Sequence, residues 1–385
     1  MPSTKTTKEK EVFSKNDSTA IKGIAIIMML LHHCFRDREI YEGFAINFYP
    51  FSENMVNILG IVCKMCVGMF VFITGYGLSL SLRKINKDYQ LTVKETCQWT
   101  VNRAILVLSG FWIISFPTIL IGECIDGRAS EVFFEDGTIY GFIQILFDGL
   151  GLSNIMRTCT FLKTWWYMSA AIVFIFLLPV LGRMKNKIGY FFLIISIILF
   201  PRVLGLDYVG GTHAFSYFIP LVLGMMCSEY DLFVKLKQYH YGIKKGGKIF
   251  KFIFETCICI LIPVLYYETK TDRFWELKFG VLPVLFIYYC YAYIVRIPVM
   301  KQILYFLGRH SMNIFLIHNI YRNLYLTEFI YSFKHFALCL LVLLALSLAT
   351  SILIEGIKKI IGYDKLIKKL CNYVTEKINC GYDKK

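Results

Sequence analysis

The 385-residue chain is 56% hydrophobic and 16% aromatic, with a mean hydropathy of +0.55, far from a soluble average. This composition excludes a soluble globular protein, and apolar stretches recurring along nearly the whole length indicate an all-α polytopic membrane protein. The net charge of +15 does not require a nucleic-acid partner, because the basic residues are scattered over the loops between those stretches.

Residues 1–19 are polar and Lys-rich and read as a cytoplasmic N-terminal segment; no cleavable signal peptide is expected. Hydropathy then predicts about ten transmembrane helices, near 20–35, 55–82, 98–122, 162–182, 188–204, 212–229, 249–267, 277–295, 303–326 and 335–357. The segment 139–152 is too short and Gly-rich for a span and reads as re-entrant or interfacial. One membrane domain, 20–357, follows, with a basic cytoplasmic tail over 358–385 that is either an amphipathic or a disordered membrane-surface segment. With both termini inside, the cytoplasmic segments carry 29 Lys and Arg and the outer segments 11, leaving Lys64 and Arg309 within spans. That asymmetry follows the positive-inside rule, so the net charge is first a topology signal.

The first span carries Lys22 at one end and His32-His33 about three turns along. At about 1.5 Å per residue Lys22 and His33 lie roughly 16 Å apart, half of a ~30 Å hydrocarbon core. An imidazole at mid-membrane can take and return a hydroxyl proton. Adjacent histidines point about 100° apart, so one of them faces a given cavity, and hydrogen bonding to neighbouring helices is the alternative for both. In the second span Lys64 falls at a similar depth to His33 and needs a partner or a wet cavity, which makes it a candidate lining residue of the same cavity. Thr74, Gly75, Gly77 and Ser79 follow on a face that lets a helix or a ligand approach the backbone.

Lys22, Arg83, Lys84 and Arg103 cluster at the inner ends of the first three spans and suit a phosphorylated cytoplasmic ligand; ordinary positive-inside anchoring is the alternative. Trp165, Trp166 and Tyr167 open the fourth span on the outer side, either to stack a sugar or as an interfacial aromatic belt. The ninth span places Ser311 and His318 in an otherwise apolar helix as further polar lining candidates. The 13 cysteines lie mostly inside apolar spans and form no disulfide framework, although Cys124 and Cys159 both fall outside and make a candidate pair. Cys63-Lys64-Met65-Cys66 has CxxC spacing but no partner pair, and no metal site is expected.

Four of these stretches together resemble the acyltransferase 3 family of integral membrane O-acyltransferases. They are Lys22 with His32-His33, Phe70-Val71-Phe72-Ile73-Thr74-Gly75-Tyr76, Thr164-Trp165-Trp166-Tyr167-Met168, and Leu307 to His318. The resemblance runs from about residue 18 to 355 in the family's order. One departure is Thr100, which stands where the family's first Arg of an Arg-x-x-Arg pair would be, while Arg103 keeps the second; Arg83 or Lys84 is positioned to compensate.

The resemblance implies an acyl-CoA donor, most often acetyl-CoA, used from the cytoplasm, and a hydroxyl acceptor on a cell-surface polysaccharide or its lipid-linked sugar precursor. No extracytoplasmic esterase-like domain is expected. It implies His33, with Lys22 and His32, as the catalytic set, and Arg103, Arg83 and Lys84 as donor contacts. Lys64, Thr74, Trp165, Trp166, Tyr167, Ser311 and His318 would line the substrate cavity, in a multi-pass protein of the plasma membrane surrounded by lipid. Lys64 or Thr74 is a candidate for oxyanion stabilisation, and a covalent acyl-histidine remains a second route. A transporter or flippase of a polyanionic or glycan substrate is the alternative class. It would also place polar groups at mid-membrane, but with broken-helix pairs or repeats that this sequence lacks.

Overall fold

The computed structural model describes residues 12–135, 137–206, 211–239, 241–242 and 246–382. Helix α1 (Lys15–Phe35) is followed by α2 (Glu53–Val62) and α3 (Met65–Arg83), which continue one another across a break at Cys63 and Lys64. The long α4 (Val93–Asp126) leads into the short α5 (Arg128–Phe133), α6 (Thr138–Gly149) and α7 (Ser153–Met156), then into α8 (Trp166–Val203). Next come α9 (Phe218–Tyr230), α10 (Leu232–Gln238), α11 (Gly247–Glu268), α12 (Thr271–Trp275) and α13 (Leu282–Ala292). The chain closes with α14 (Pro298–Arg309), α15 (Ser311–Asn319), α16 (Thr327–Tyr331), α17 (Phe336–Ile360) and α18 (Tyr363–Tyr382).

Among the described residues seven stretches are long and apolar enough to cross a membrane, or eight if the bent pair α9–α10 counts as one. The difference from ten has three physical causes. Stretches 162–182 and 188–204 are the two halves of α8, joined without a loop at Gly189, which sits at φ 73°, ψ 168°, a conformation that glycine alone adopts without strain, so two predicted stretches count as one. Trp166, Ser169 and Val173 share a groove with Phe200 and Leu204, so the chain reverses there and both halves run between the same poles. Stretch 212–229 belongs to the α9–α10 pair, bent by 69°. Stretch 303–326 is interrupted at His310, which separates α14 from α15.

Helix α1 is the central post, packed against α2, α3, α14, α15 and α17. Its start is defined by a capping box: the Ser14 hydroxyl accepts from the Asp17 amide at 3.1 Å, and the Asp17 carboxylate accepts from the Ser14 amide at 3.2 Å. The same buried carboxylate receives Lys301 Nζ at 2.7 Å and Arg296 Nη2 at 3.6 Å, locking the helix start to α14 and the turn before it. The α1–α14 crossing is close because Gly23 meets the Leu304 carbonyl and Gly308 meets the Thr19 carbonyl, each inside the distance a Cβ would need. Gly75 and Gly224 bring α3 against α9 in the same way. Small residues at such crossings are the usual device in bilayers, where lipid tails supply no hydrophobic drive between helices.

The tail is ordered. Helix α18 lies along the first half of α4, with Tyr363 and Ser109 hydroxyls 2.7 Å apart, Asn102 Nδ2 donating to Thr375 Oγ1 at 3.1 Å, and Gln98 Nε2 donating to Asn379 Oδ1 at 2.6 Å. Cys124 and Cys159 are both exposed and unbridged. Loops 36–52 and 127–165 and the 319–335 segment gather at one pole, hereafter the loop-rich pole; residues 84–92, 183–189 and 229–239 gather at the other, the basic pole.

Replacing Gly308 by Leu is expected to lower stability by about 3 kcal/mol, because the added side chain meets backbone that cannot yield. Gly110→Leu, where a Cβ would meet open space, is the control. Thermal unfolding followed by size-exclusion chromatography checks this; equal midpoints for the two variants would refute the close crossing.

Candidate active site

One stripe of α1 carries the site. Lys22, Met29, His33 and Arg36 recur at spacings of seven, four and three residues, which places them on one helical face. All four line a cavity of about 220 Å³ together with His32. From Lys22 to Arg36 the cavity follows the helix for about 21 Å at ~1.5 Å per residue, most of a hydrocarbon core. The facing wall comes from α3, with Val67, Phe70 and Thr74 on its own 3–4 stripe, and from Lys64 and Cys66 at the α2–α3 break. Trp166 and Tyr167 of α8 and Ser311, Met312 and Phe315 of α15 close the remaining side. The Tyr167 ring packs edge-on against both Phe70 and Phe315, with centroids 6.4 and 5.7 Å away, and so holds three helices around the cavity.

Toward the loop-rich pole the cavity meets a vestibule of about 1210 Å³. The two share His32, His33, Arg36 and Thr164, so the histidine pair stands where the narrow apolar passage opens into the wide polar one. Asp37, Glu39, Glu131 and Glu135 line the vestibule beside Arg128, Lys163 and Arg322, giving it acids and bases in near balance.

The three histidines at this junction differ in freedom. His32 is buried and its Nδ1 lies 2.7 Å from the Gly60 carbonyl, so that nitrogen carries the proton and donates. His318 is fully buried, and its Nδ1 donates to the Phe315 carbonyl at 2.8 Å, which leaves its Nε2 as an acceptor with no partner among the described residues. His33 sits between them, with ring centroids 5.0 Å from His32 and 4.8 Å from His318. Its own ring is half-buried, and among the described residues no side-chain hydrogen bond ties it down. Of the adjacent pair, His33 is therefore the ring available for proton transfer, while His32 is spent on holding α1 to α2.

The backbone of His33 is held from outside its helix. Arg322, itself buried, donates from Nη1 to the His33 carbonyl at 2.7 Å and from Nε to Asn319 Oδ1 at 2.8 Å. The next carbonyls accept from the Tyr331 hydroxyl (Cys34, 2.9 Å) and from Asn57 Nδ2 (Phe35 at 3.0 Å, Arg36 at 2.7 Å). A cation at a helix C-terminus also complements the macrodipole.

An acyltransferase domain of the acyltransferase 3 type matches residues 16–356, nearly the whole chain. The chain belongs to the acyltransferase 3 family. No curated protein and no solved structure matches it.

In this acyltransferase the cavity gathers Lys22, His32, His33, Lys64, Thr74, Trp166, Tyr167 and Ser311 from the sequence-derived candidates. Lys64 reaches it from the helix break, with its Nζ 5.8 Å from the Phe279 ring centroid. His318 stands behind His33 as its ring neighbour. Trp165 is buried in helix packing instead, its indole N–H donating to the Leu316 carbonyl at 3.2 Å, and it presents no face to a sugar. The three basic-pole cations lie apart from the cavity wall. Arg83 donates to the Ser228 carbonyl at 2.9 Å in the last turn of α9, Arg103 bonds the Ser81 hydroxyl, and Lys84 is exposed.

Sequence reasoning missed Arg322 and Asn319, because they fall at the outer end of the predicted span 303–326, where a cation is counted with the outer segment. The available signal was Asn319 and Arg322 at i, i+3, immediately after the His318 motif. Among the described residues no group of three or more His, Cys, Asp or Glu could hold a metal ion. Truncating Arg322 to Ala is expected to cost about 2–3 kcal/mol by leaving the His33 carbonyl and Asn319 unpaired. Asn323→Ala, removing only a 3.4 Å contact, should cost much less. Thermal-shift midpoints of the purified variants decide; equal losses would place the cap elsewhere.

Proposed function

We propose that this acyltransferase moves an acyl group, acetyl in the first instance, from cytoplasmic acyl-CoA to a hydroxyl of a cell-surface polysaccharide or its lipid-linked sugar precursor. The observation that carries this reading is the meeting of two passages at His33: a narrow apolar one leading from Lys22, and a wide polar one opening at the loop-rich pole. The positive-inside asymmetry supports a cytoplasmic basic pole with both termini inside, in a protein proposed for the plasma membrane. Donor and acceptor then reach one imidazole from opposite sides.

Lys22 in the cavity supplies one cation for the phosphates of CoA, and Arg103, Arg83 and Lys84, apart from the cavity at the basic pole, are candidates for outer contacts. The thin pantetheine arm suits the narrow cavity between Phe70, Tyr167 and Phe315. His33 takes the proton from the acceptor hydroxyl as its oxygen attacks the thioester carbonyl. Collapse of the tetrahedral intermediate forms the ester and breaks the C–S bond, and the proton held by His33 passes to the departing thiolate. Lys64 and the Thr74 hydroxyl face the same cavity and are the candidates for holding the transient oxyanion. The vestibule's mixed charges and the Trp166 face offer a sugar both hydrogen bonds and a stacking surface.

Purified protein in liposomes, given radiolabelled acetyl-CoA and a cell-envelope glycan fraction, should transfer label to the glycan. His33→Ala is expected to reduce transfer by at least about 100-fold, the range for losing a general base, while acetyl-CoA binding persists. Lys22→Ala should instead weaken acetyl-CoA binding. Undiminished transfer by His33→Ala would refute the base assignment, and absence of acetyl-CoA binding by the wild type would refute the donor.

A further inference from the structure

A second large concavity, about 1140 Å³, opens beside the vestibule, borders the donor cavity and is lined by none of the three clustered histidines. Its walls divide by chemistry. The upper part is polar, formed by Asn154, Arg157, Thr158 and Lys163 from the segment around α7. The lower part is apolar, formed by Val173 on the first half of α8, Phe200 and Leu204 on the returning half, and Phe215. Val173 lies seven residues into α8 from Trp166, so the apolar floor descends about 10 Å into the hydrocarbon. Phe200 and Leu204 are 51% and 56% exposed, so this floor faces lipid and is open from the side. A shape that is cationic at headgroup level and apolar below fits an amphiphile entering laterally.

Two further observations say which amphiphile. Arg157 and Lys163 are exposed, and among the described residues no acid pairs with either, so their charge is available to an anion. Arg157 is also held at φ 54°, a left-handed backbone conformation that a non-glycine residue adopts at a cost of about 1 kcal/mol. Thr158, Thr160 and Lys163 line this groove and the vestibule alike, while Trp166 and Thr212 line this groove and the donor cavity. Whatever is attached beyond an anion at Arg157 and Lys163 is thereby delivered toward His33. A phospholipid whose headgroup lacks a hydroxyl has nothing to deliver there, and phosphatidylglycerol, whose headgroup carries hydroxyls, is the competitor that the test must include.

We propose that this groove binds the acceptor by its lipid end: a long-chain alcohol phosphate whose chain lies along Val173, Phe200 and Leu204, whose phosphate meets Arg157 and Lys163, and whose sugar enters the vestibule. The proposal rests on the acyltransferase reading above and selects the lipid-linked acceptor over the free polymer.

The test uses full-length protein in detergent micelles and a radiolabelled long-chain polyprenyl monophosphate, with acetyl-CoA binding measured on every sample. Wild type should bind the lipid saturably. Reversing the two exposed cations (Arg157→Glu with Lys163→Glu) should weaken binding at least about tenfold. Obstructing the floor with Val173→Trp should do the same, with acetyl-CoA binding retained in both variants. Excess phosphatidylglycerol should not displace the probe. Displacement by phosphatidylglycerol, or unchanged binding in both variants, overturns the proposal. So does wild type that binds acetyl-CoA but not the polyprenyl phosphate, and that result leaves the acyltransferase reading standing. Loss of acetyl-CoA binding by wild type would instead strike at the donor assignment.

Discussion

The structure depends on how the carbonyl end of α1 is satisfied. A helix leaves its last carbonyls without intrahelical donors, and within a membrane protein water is a scarce substitute. Here the His33, Cys34, Phe35 and Arg36 carbonyls are answered in turn by Arg322, Tyr331 and Asn57. These donors come from the π-helical turn after α15, from α16 and from α2, so three elements converge on one helix terminus. The opposite end of α1 is anchored through Asp17 to Lys301 and Arg296. Held at both ends by charge-assisted bonds, α1 can present a polar stripe without rotating it toward lipid.

The breaks in neighbouring helices follow from that stripe. An unbroken α2–α3 helix would pass α1 as a smooth apolar face, but the turn at Cys63 and Lys64 brings an ammonium group to the cavity wall. The interruption at His310 has a local compensation: its ring lies 2.8 Å from the Ser351 hydroxyl, which also accepts from Asn313, and Asn313 reaches Glu355 at 2.9 Å. This network on α15 and α17 absorbs the polar groups that the break exposes, and it leaves Ser311, Met312 and Phe315 aimed into the cavity. Non-helical backbone inside a membrane protein is tolerated where it is buried in protein or lines a cavity, and both breaks meet that condition.

The spacing of Lys22 and His33 and the depth match of His33 with Lys64 were legible in the sequence, because helical geometry turns residue numbers directly into positions. Hydropathy likewise found every long apolar segment. It could not separate a continuous span from one broken at His310, since a single residue in a bridge-like conformation barely changes a window average. The reversal at Gly189 was legible as the short basic segment between stretches 162–182 and 188–204, but the burial of Arg322 was not: a cation near a span end reads as a loop residue until its partners are known. Trp165 and Trp166 show the same limit at finer scale. Adjacent in sequence and identical in chemistry, one is locked against the Leu316 carbonyl and the other faces the cavity, a distinction set by neighbouring helices alone.

The arrangement of the three concavities also explains why an acyltransferase of this kind needs so little polar machinery. In the proposed reading CoA stays on one side and the acceptor on the other, and only the acyl carbonyl has to reach the imidazole between them. Beside the cations and histidines of α1, Lys64 and the hydroxyls of Thr74, Thr164, Thr212 and Ser311, the narrow cavity is walled by Met29, Val67, Phe70, Trp166, Tyr167, Met312 and Phe315, an apolar lining that in this reading restricts water around the thioester. In that reading the polar groups for a sugar lie beyond the histidines, in the vestibule, where water would do no harm to the donor. His33 is thus placed by exclusion as much as by attraction: it is the point on α1 where an apolar passage ends and a polar one begins.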